Sequence, residues 1–485
     1  MSKRIRVHFI GIGGSGMYPL ARLAALSDDP VYEISGSDRG ASPETLAAMR
    51  RRGWRVFGEH DADHVSDANV VVYSSAIPVD HPERAGAAER ARVGHGVLEH
   101  RMDFLMRLVA RCPVQLAVAG THGKTSTASL LGWMLTELGF DPDIIVGGRP
   151  AYLPEGVRRG AGRVAVYETD ESDGSFLRAT AGLRLVLNID RDHLEHYGDM
   201  DGLIRAFREF AAGGATTVLN ASDPVVKDTF FDDGRSSESS AGRRIAYHAD
   251  EVEHPAALAK VFAGRFDGAS DRLVLTHELD EVAPGGDAIH LPLPGRHFAS
   301  NALGALGLVR CMLDLPAMSD HGDIPTKRIL EVMNRFPGVE RRLELLGRPD
   351  GVAVYDDYGH HPTEIRAVLA ALRGRLAGAG RLIAVFQPHR YSRTQALYAE
   401  FAAALTVDAD RVFVLPIYSA GEAAREGVSA ALIRDAATAS GKSVELIDRD
   451  DWAGVFRGCA PGDVVVCLGA GDISASIRAF VSGRG

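Results

Sequence analysis

The sequence predicts an α/β protein of three domains, each built on a mostly parallel sheet. Three observations carry that prediction. Short apolar runs rich in β-branched residues alternate with amphipathic helical stretches, and most of the runs end in polar loops. Two strand-to-helix turns are rich in glycine, one at Gly11 to Gly16 and one at Gly120 to Thr125. The length, 485 residues, is more than one hydrophobic core supports and suggests about three domains.

In the first segment, Ile5 to Ile12 reads as a strand, Gly11-Ile12-Gly13-Gly14-Ser15-Gly16 as a tight turn, and Met17 to Leu26 as a helix. Strands at Tyr32 to Ser35 and Asn69 to Tyr73 follow, ending in Gly36-Ser37-Asp38 and Ser74-Ser75. Such a βα unit accommodates a diphosphate against its first turn. A nicotinamide dinucleotide with Asp38 on a ribose is one reading. A second nucleotide loop further on makes a nucleotide-sugar diphosphate the preferred one.

A helical stretch from Met102 to Ala110, closed by Arg111-Cys112-Pro113, links into the second segment. There Val114 to Ala119 forms a strand, Gly120-Thr121-His122-Gly123-Lys124-Thr125 a loop, and Leu131, Met134, Leu135 and Leu138 the apolar face of a helix. Unpaired N–H groups at a helix start cradle phosphates; Lys124 would reach the β/γ-phosphates and Thr125 would offer a hydroxyl to Mg²⁺. The strict GxxxxGK[ST] pattern fails only at its first glycine, where Val118 stands. Strands follow at Arg163 to Glu168 and Leu183 to Ile189, then a helix from Met200 to Ala212. A serine-rich surface loop is expected at Gly234 to Gly242, strand-like patches up to Ile289, and helices at 296–312 and 327–334.

The third segment begins near Phe336-Pro337-Gly338, with strands at Val352 to Tyr355, Leu382 to Phe386, Val412 to Leu415 and Val464 to Leu468. Ligands of open α/β sheets sit at the carboxyl ends of strands, which selects the loops 356–362, 387–394, 418–422 and 469–472.

Several of these loops carry chemistry. Glu168, Asp170, Glu171 and Asp173 crowd four carboxylates at one strand end; packed acids need compensating cations, and oxygen ligands suit Mg²⁺, although any single acid there could be merely solvated. His193, beside Asp190 and Asp192 at the next strand end, makes a two-cation site with Glu168 the preferred reading. The loops Asp356 to Pro362 and Pro388 to Thr394 hold the densest His/Arg/Tyr clusters, with Arg390 and Arg393 as forks for a carboxylate or phosphate and His360 and His389 as groups that titrate near neutrality. Surface ion pairing is the alternative for each loop. Together these residues suit phosphoryl activation of an acid.

Composition narrows the partners. The apolar fraction of 46% is ordinary for a globular protein, and a net charge of −10 argues against a general nucleic-acid or anionic-membrane binder. Cys112, Cys311, Cys459 and Cys467 form no CxxC pair, which suits a reducing compartment. The run Val7 to Ile12 is too short and glycine-interrupted for a signal peptide, and no apolar run spans a bilayer. A cytoplasmic monomer or homodimer without membrane insertion is expected.

In chain order, VHFIGIGGSGM, SSAIP, GTHGKTST, ETDESDGSF, NIDRDHLEHY, DDYGHHPTEI, FQPHRYSRT and GAGDI resemble the motifs of the Mur ligases, ATP-dependent amide-forming enzymes of peptidoglycan synthesis, over essentially the whole chain. The likeness is closest to the alanine-adding branch; a branch that recycles murein tripeptide shares the His-His-Pro loop and is expected to differ at the first glycine turn. The resemblance implies a Rossmann-like UDP-sugar-binding domain (1–111), a P-loop ATPase-like ATP-binding central domain (112–335) and a Rossmann-like amino-acid-binding domain (336–485). It implies UDP-N-acetylmuramate, L-alanine and ATP as substrates, with Mg²⁺, and an acyl phosphate formed on the lactyl carboxylate.

By the same resemblance, Gly11, Gly13, Gly14, Ser15, Gly16, Asp38 and Ser75 match the UDP-substrate side. Gly120, Thr121, His122, Gly123, Lys124, Thr125, Ser126, Asn301, Arg342 and Asp357 match the ATP side, and Thr125, Glu168 and His193 the metal ligands. Tyr358, His360, His389, Arg390 and Arg393 match the amino-acid and acyl-phosphate side; Lys124, Glu168, His193 and Arg342 are the expected catalytic set. Three departures stand out. His297-Phe298 replaces a His-Asn pair, leaving Asn301 as the adenine contact; Met17-Tyr18-Pro19 replaces small residues beside the first turn, which puts the diphosphate or sugar fit in question; and 192–210 lacks the lysine that several relatives carbamylate.

Overall fold

The computed structural model describes residues 4–231, 242–249, 261–267, 272–279, 281–282, 288–290, 293–376 and 380–483. The serine-rich loop expected at 234–242 lies outside them apart from Gly242. The fold is α/β, with three sheets that are parallel in most of their pairings.

The first sheet contains β1 (Arg4–Ile10), β2 (Val31–Ser37), β3 (Arg55–Phe57), β4 (Val70–Tyr73) and β5 (Val97–His100) in the order β3-β2-β1-β4-β5, all parallel. Strand β1 is central, so its glycine turn stands where the strand order reverses, the usual ligand position of an open α/β sheet. Val7 and Phe9 are fully buried, and the Phe9 ring meets Phe104 of helix Arg101–Val109 edge-on at 5.6 Å. That contact fixes the helix leading toward the second sheet beneath the first.

The second sheet is built from β6 (Val114–Ala119), β7 (Asp143–Ile145), β8 (Val157–Arg158), β9 (Val164–Glu168), β10 (Leu183–Val186), β11 (Thr216–Asn220), β12 (Arg243–His248) and β13 (Val261–Asp267), in the order β13-β12-β11-β10-β6-β9-β7-β8. Only the β7–β8 pair among these is antiparallel. Strand β6 lies between β9 and β10, with Val118 opposite Glu168 and Ala119 opposite Val186. The loop after β6 is therefore flanked by the acidic loop after β9 and by the Asn188 loop after β10. Strand β10 is shorter than the apolar pattern suggested, because Asn188 bonds to the β6 loop instead of continuing a ladder. The expected strand-like patches appear as β14 (Arg272–Leu279), β15 (Glu281–Val282) and β16 (Ala288–His290), with β14 antiparallel to both others. Helices Arg296–Leu313 and Thr326–Met333 follow.

The third sheet has β17 (Glu344–Gly347), β18 (Ala353–Asp357), β19 (Leu382–Phe386), β20 (Arg411–Val414), β21 (Glu445–Leu446) and β22 (Val464–Leu468), ordered β17-β18-β22-β19-β20-β21. Only the β17 edge is antiparallel. The loops after β18, β22, β19 and β20 consequently lie side by side at one end.

Packing divides the chain into two compact units: 1–264 with 275–287 and 300–337, which holds the first sheet and most of the second, and 338–485 with 265–274 and 288–299. No helix among the described residues is long and apolar enough to cross a membrane.

Candidate active site

The loop after β6 is pinned before any ligand is considered. Gly123, at φ 84°, sits in the left-handed region that glycine adopts without strain, and caps helix Lys124–Glu137. The buried Asn301 side chain lies against it so closely that a Cβ at Gly123 would be 2.6 Å from Asn301 Nδ2. A Cβ at Gly120 would meet Leu187 Cβ at 2.9 Å. The Asn188 amide accepts from His122 N–H at 2.8 Å and donates to the His122 carbonyl at 3.0 Å, while Thr121 Oγ1 accepts from Asp190 N–H at 2.9 Å. Lys124 Nζ donates to the Gly120 carbonyl at 2.7 Å and to Glu171 Oε2 at 2.7 Å. Burial opposes the Lys124 charge, but Glu171 and Asp170 outweigh it and raise its pKa, so the ammonium is permanent at neutral pH. Thr125 and Ser126 open the helix behind it, Ser126 buried.

Thr125 Oγ1 donates to Glu168 Oε2 at 2.7 Å, and Glu168 Oε1 accepts from Gly147 N–H. Burial raises the pKa of Glu168 and of Glu171, and Glu171 Oε1 is buried without a hydrogen-bond partner. A hydroxyl and two carboxylates, one with an unpartnered buried oxygen, form a donor set that fits a hard divalent cation such as Mg²⁺. His193 is not gathered into this group. Its ring lies 3.5 Å from Asp192 and 4.0 Å from Glu195 on its own loop, and its backbone is left-handed at φ 56°, a strained conformation for a non-glycine residue.

At the first glycine turn, Gly13, Ser15 and Gly16 are exposed and Gly14 N–H closes back on the Gly11 carbonyl at 3.0 Å. Asp38 braces the turn itself: its carboxylate accepts from Gly13 N–H at 2.8 Å, Gly40 N–H at 2.8 Å and Ala41 N–H at 3.1 Å. Ser75 Oγ lies 2.9 Å from His100 Nε2. Arg101, which sequence reasoning missed, links this turn to the acidic loop. A Cβ at Gly16 would lie 2.6 Å from Arg101 Nη1, while Nη2 donates to Asp170 at 2.9 Å and to Asp173 at 3.3 Å. Burial raises the Asp170 pKa less than Lys124 and Arg101 lower it, leaving it far below the usual carboxylate range. The Met17-Tyr18-Pro19 departure proves to be packing: Met17 and Pro19 are buried, and Tyr18 Oη donates to Glu155 at 3.3 Å. Glu155 also pairs with Arg22 at 2.6 Å and with Arg52.

In the C-terminal unit the sequence-selected loops bring their residues together. Tyr358 lies under two guanidinium groups, Arg341 at 4.8 Å and Arg342 at 5.3 Å from its ring centre. Asp357 accepts from Leu343 N–H at 2.8 Å and Gly359 N–H at 2.7 Å, and burial pushes its pKa up to about 6. Tyr358, His360, His389 and Tyr418 form a row with successive ring centres 5.4, 5.7 and 5.7 Å apart. Burial pushes both His360 and His389 down to about 4, so both are neutral at pH 7; Arg390 and Arg393 reinforce this at His389. Arg390, exposed and left-handed at φ 69°, precedes helix Tyr391–Asp408. Tyr418 and Arg341 escaped the sequence reading of the site, although Tyr418 lies in a selected loop. Nearby in sequence, Phe298 is 2% exposed, whereas His297 is exposed.

Three family descriptions match in chain order: the Mur ligase family, catalytic domain at residues 6–111, the Mur ligase middle domain at 118–309, and the Mur ligase, glutamate ligase domain at 341–471. The chain is 37% identical over 477 residues to a UDP-N-acetylmuramate--L-alanine ligase of Agrobacterium fabrum, covering 96% of this chain and 94% of the relative. It is 36% identical over 474 residues to the protein of that name from a Chelativorans species, covering 96% of each. The crystal structure of UDP-N-acetylmuramate-alanine ligase from Thermotoga maritima superposes with a TM-score of 0.74 at 26% identity, covering 99% of both chains. A murein peptide ligase from Psychrobacter arcticus shares the fold, with a TM-score of 0.65 at 20% identity over 99% of both chains.

Proposed function

Because this chain belongs to the Mur ligase family, we infer that it joins L-alanine to the lactyl carboxylate of UDP-N-acetylmuramate, converting ATP to ADP and phosphate, a step of peptidoglycan synthesis. The observation that carries the reading at the level of chemistry is the phosphate loop, with its permanent Lys124 ammonium beside Thr125 and Glu168. We assign the three functions to the segments 1–111, 112–335 and 336–485 in that order.

The exposed glycine turn, with Ser75, would hold the diphosphate of the UDP-sugar, and Asp38 keeps that turn in shape. Gly120 to Ser126 would wrap the ATP phosphates, with Asn301 holding the loop from behind. A lactyl carboxylate oxygen attacks the γ-phosphorus, the bond to the ADP oxygen breaks, and an acyl phosphate forms. Lys124 stabilises charge on the transferring phosphoryl oxygens. Thr125 and Glu168 would hold one Mg²⁺, which supplies further charge neutralisation when bound, and His193 is assigned to a second. Alanine, as the free amine, then attacks the acyl carbon and phosphate leaves. Arg390 and Arg393 suit the alanine carboxylate, and the neutral His360 and His389 offer acceptor nitrogens to its amine. Arg342 and Asp357 are assigned to the nucleotide side, and Tyr358, against the Arg342 guanidinium, to the amino-acid side.

The test is phosphate release from ATP and UDP-N-acetylmuramate with and without L-alanine, with mass analysis of the product. Alanine-dependent release and a UDP-N-acetylmuramoyl-alanine mass are expected. Turnover with murein tripeptide and not with alanine would overturn the reading.

A further inference from the structure

Apart from the phosphate loop, the first domain gathers four histidines around one fully buried carboxylate. Glu83 lies in the first turn of helix Pro82–Arg92 and is 0% exposed. Its Oε1 is 2.9 Å from His64 Nδ1, and its Oε2 is 3.4 Å from His60 Nδ1 and 3.6 Å from His8 Nε2. Ser37 Oγ donates to the same carboxylate. His81 completes the group, with its ring centre 4.5 Å from that of His60. The residues come from β1, β2, the segment after β3 and the entry to the helix, so only the folded sheet assembles them.

Anchoring a helix end explains Ser37 and His64, but leaves two features without a role. Both ring nitrogens of His81 are buried with no hydrogen-bond partner. One ligand atom from each of His60, His81 and Glu83 lies within 4.8 Å of the others. In a tetrahedral zinc site, with bonds of about 2.0–2.1 Å, neighbouring ligand atoms stand about 3.3 Å apart; His60 Nδ1 and Glu83 Oε2 are already 3.4 Å apart.

We propose that His60, His81 and Glu83 bind one divalent transition-metal ion of the zinc class, with a water completing the coordination. Two imidazoles and a carboxylate favour such an ion over magnesium, which separates this site in chemistry from the oxygen-rich group at Glu168. The 18% exposed His60 side chain provides the way in. His8 and His64 orient the Glu83 carboxylate from behind, as outer partners of metal ligands commonly do. The site is one residue removed from the substrate turn: Ser37, bonded to Glu83 and 2.9 Å from His60 Nδ1, accepts with its carbonyl from Gly11 N–H at 2.7 Å and Ile12 N–H at 3.1 Å.

The experiment is a Co²⁺ titration of the full-length protein, stripped with chelator and held in excess Mg²⁺. One equivalent should bring up the strong visible d–d bands of a low-coordinate site, and Zn²⁺ should displace them. His81→Ala and His60→Ala should each weaken uptake roughly tenfold or more. Metal-free His81→Ala should still unfold cooperatively, because that ring makes no hydrogen bond in the fold. No stoichiometric uptake, a weak octahedral spectrum, or undiminished uptake in both variants would overturn the proposal. Phosphate release by the wild type is read separately and does not depend on the outcome.

Discussion

Around the phosphate loop the buried charges are answered by opposite charges, whereas at the C-terminal strand ends the buried imidazoles are kept uncharged. Lys124 is held by Glu171, and Arg101 by Asp170 and Asp173. His360 and His389 instead have pKa values pushed down to about 4 by burial, with arginines nearby. The difference follows what each region is proposed to receive. A polyphosphate calls for permanent cations held at fixed positions, and paired carboxylates supply that hold. A small amino acid needs hydrogen-bond acceptors for its amine, and a neutral imidazole is one.

The sharpest way to break the comparison is to remove the cation from the paired region. Lys124→Ala should lower turnover by roughly a thousandfold while leaving the affinity for UDP-N-acetylmuramate within a few-fold; phosphate release and calorimetry check the two, and equal loss of both would mean that the two glycine turns are wrongly assigned. Arg101→Ala leaves two acids without their partner and should cost roughly 2 kcal/mol in denaturant unfolding, with Arg101→Lys recovering part. At the C-terminal strand ends, Arg393→Ala should raise the KM for alanine roughly tenfold without moving that for ATP, the loss of a charge-assisted hydrogen bond.

Acid should separate the regions as well. His360 and His389 titrate near 4 in the fold and near 6.5 when unfolded, so the unfolded state takes up protons first. Their contribution to stability is intact above about 6.5 and falls toward pH 4, by on the order of 1 kcal/mol each after solvent screening. Glu83 has the opposite displacement, down to about 2, and its contribution persists above about 4.5 and is lost only toward pH 2. Thermal unfolding between pH 7 and pH 4.5 should therefore weaken the C-terminal unit first, and His389→Gln should flatten the change. The smallest expected effect is none: with no lysine in 192–210, stripping dissolved CO₂ should leave the rate unchanged. Strong rescue by bicarbonate would contradict that.

The sequence made legible whatever depends on neighbours along the chain. Strand, loop and helix around Lys124 lie where their apolar periodicity placed them, and β19 and β22 match to the residue. The closeness of Thr125 and Glu168 was also readable, because two parallel strands with ligands at their ends bring those ends together. Contacts between distant segments were not. Arg101 meets Asp170 across 69 residues, and nothing in the periodicity of its helix marks it. The spacing of Asp38 marks it as a substrate-side residue, but not that its oxygens also accept from the glycine turn. Met17 and Pro19 looked like a change of substrate fit, yet they fill the core, since a helix start offers one face to each role.

Arg101 on one side and the Glu155 cluster with Arg22 and Arg52 on the other act as two struts between the first glycine turn and the second sheet, within one compact unit. The interval between that turn and Lys124 is thereby set by protein and not by ligand. On the proposed assignment of the two turns the chain would work as a gauge: a molecule anchored by its diphosphate would present its carboxylate to the phosphate loop only if the stretch between the two had the right reach. Selection among nucleotide-sugar acids would then be a matter of length, decided before any group on the sugar is recognised.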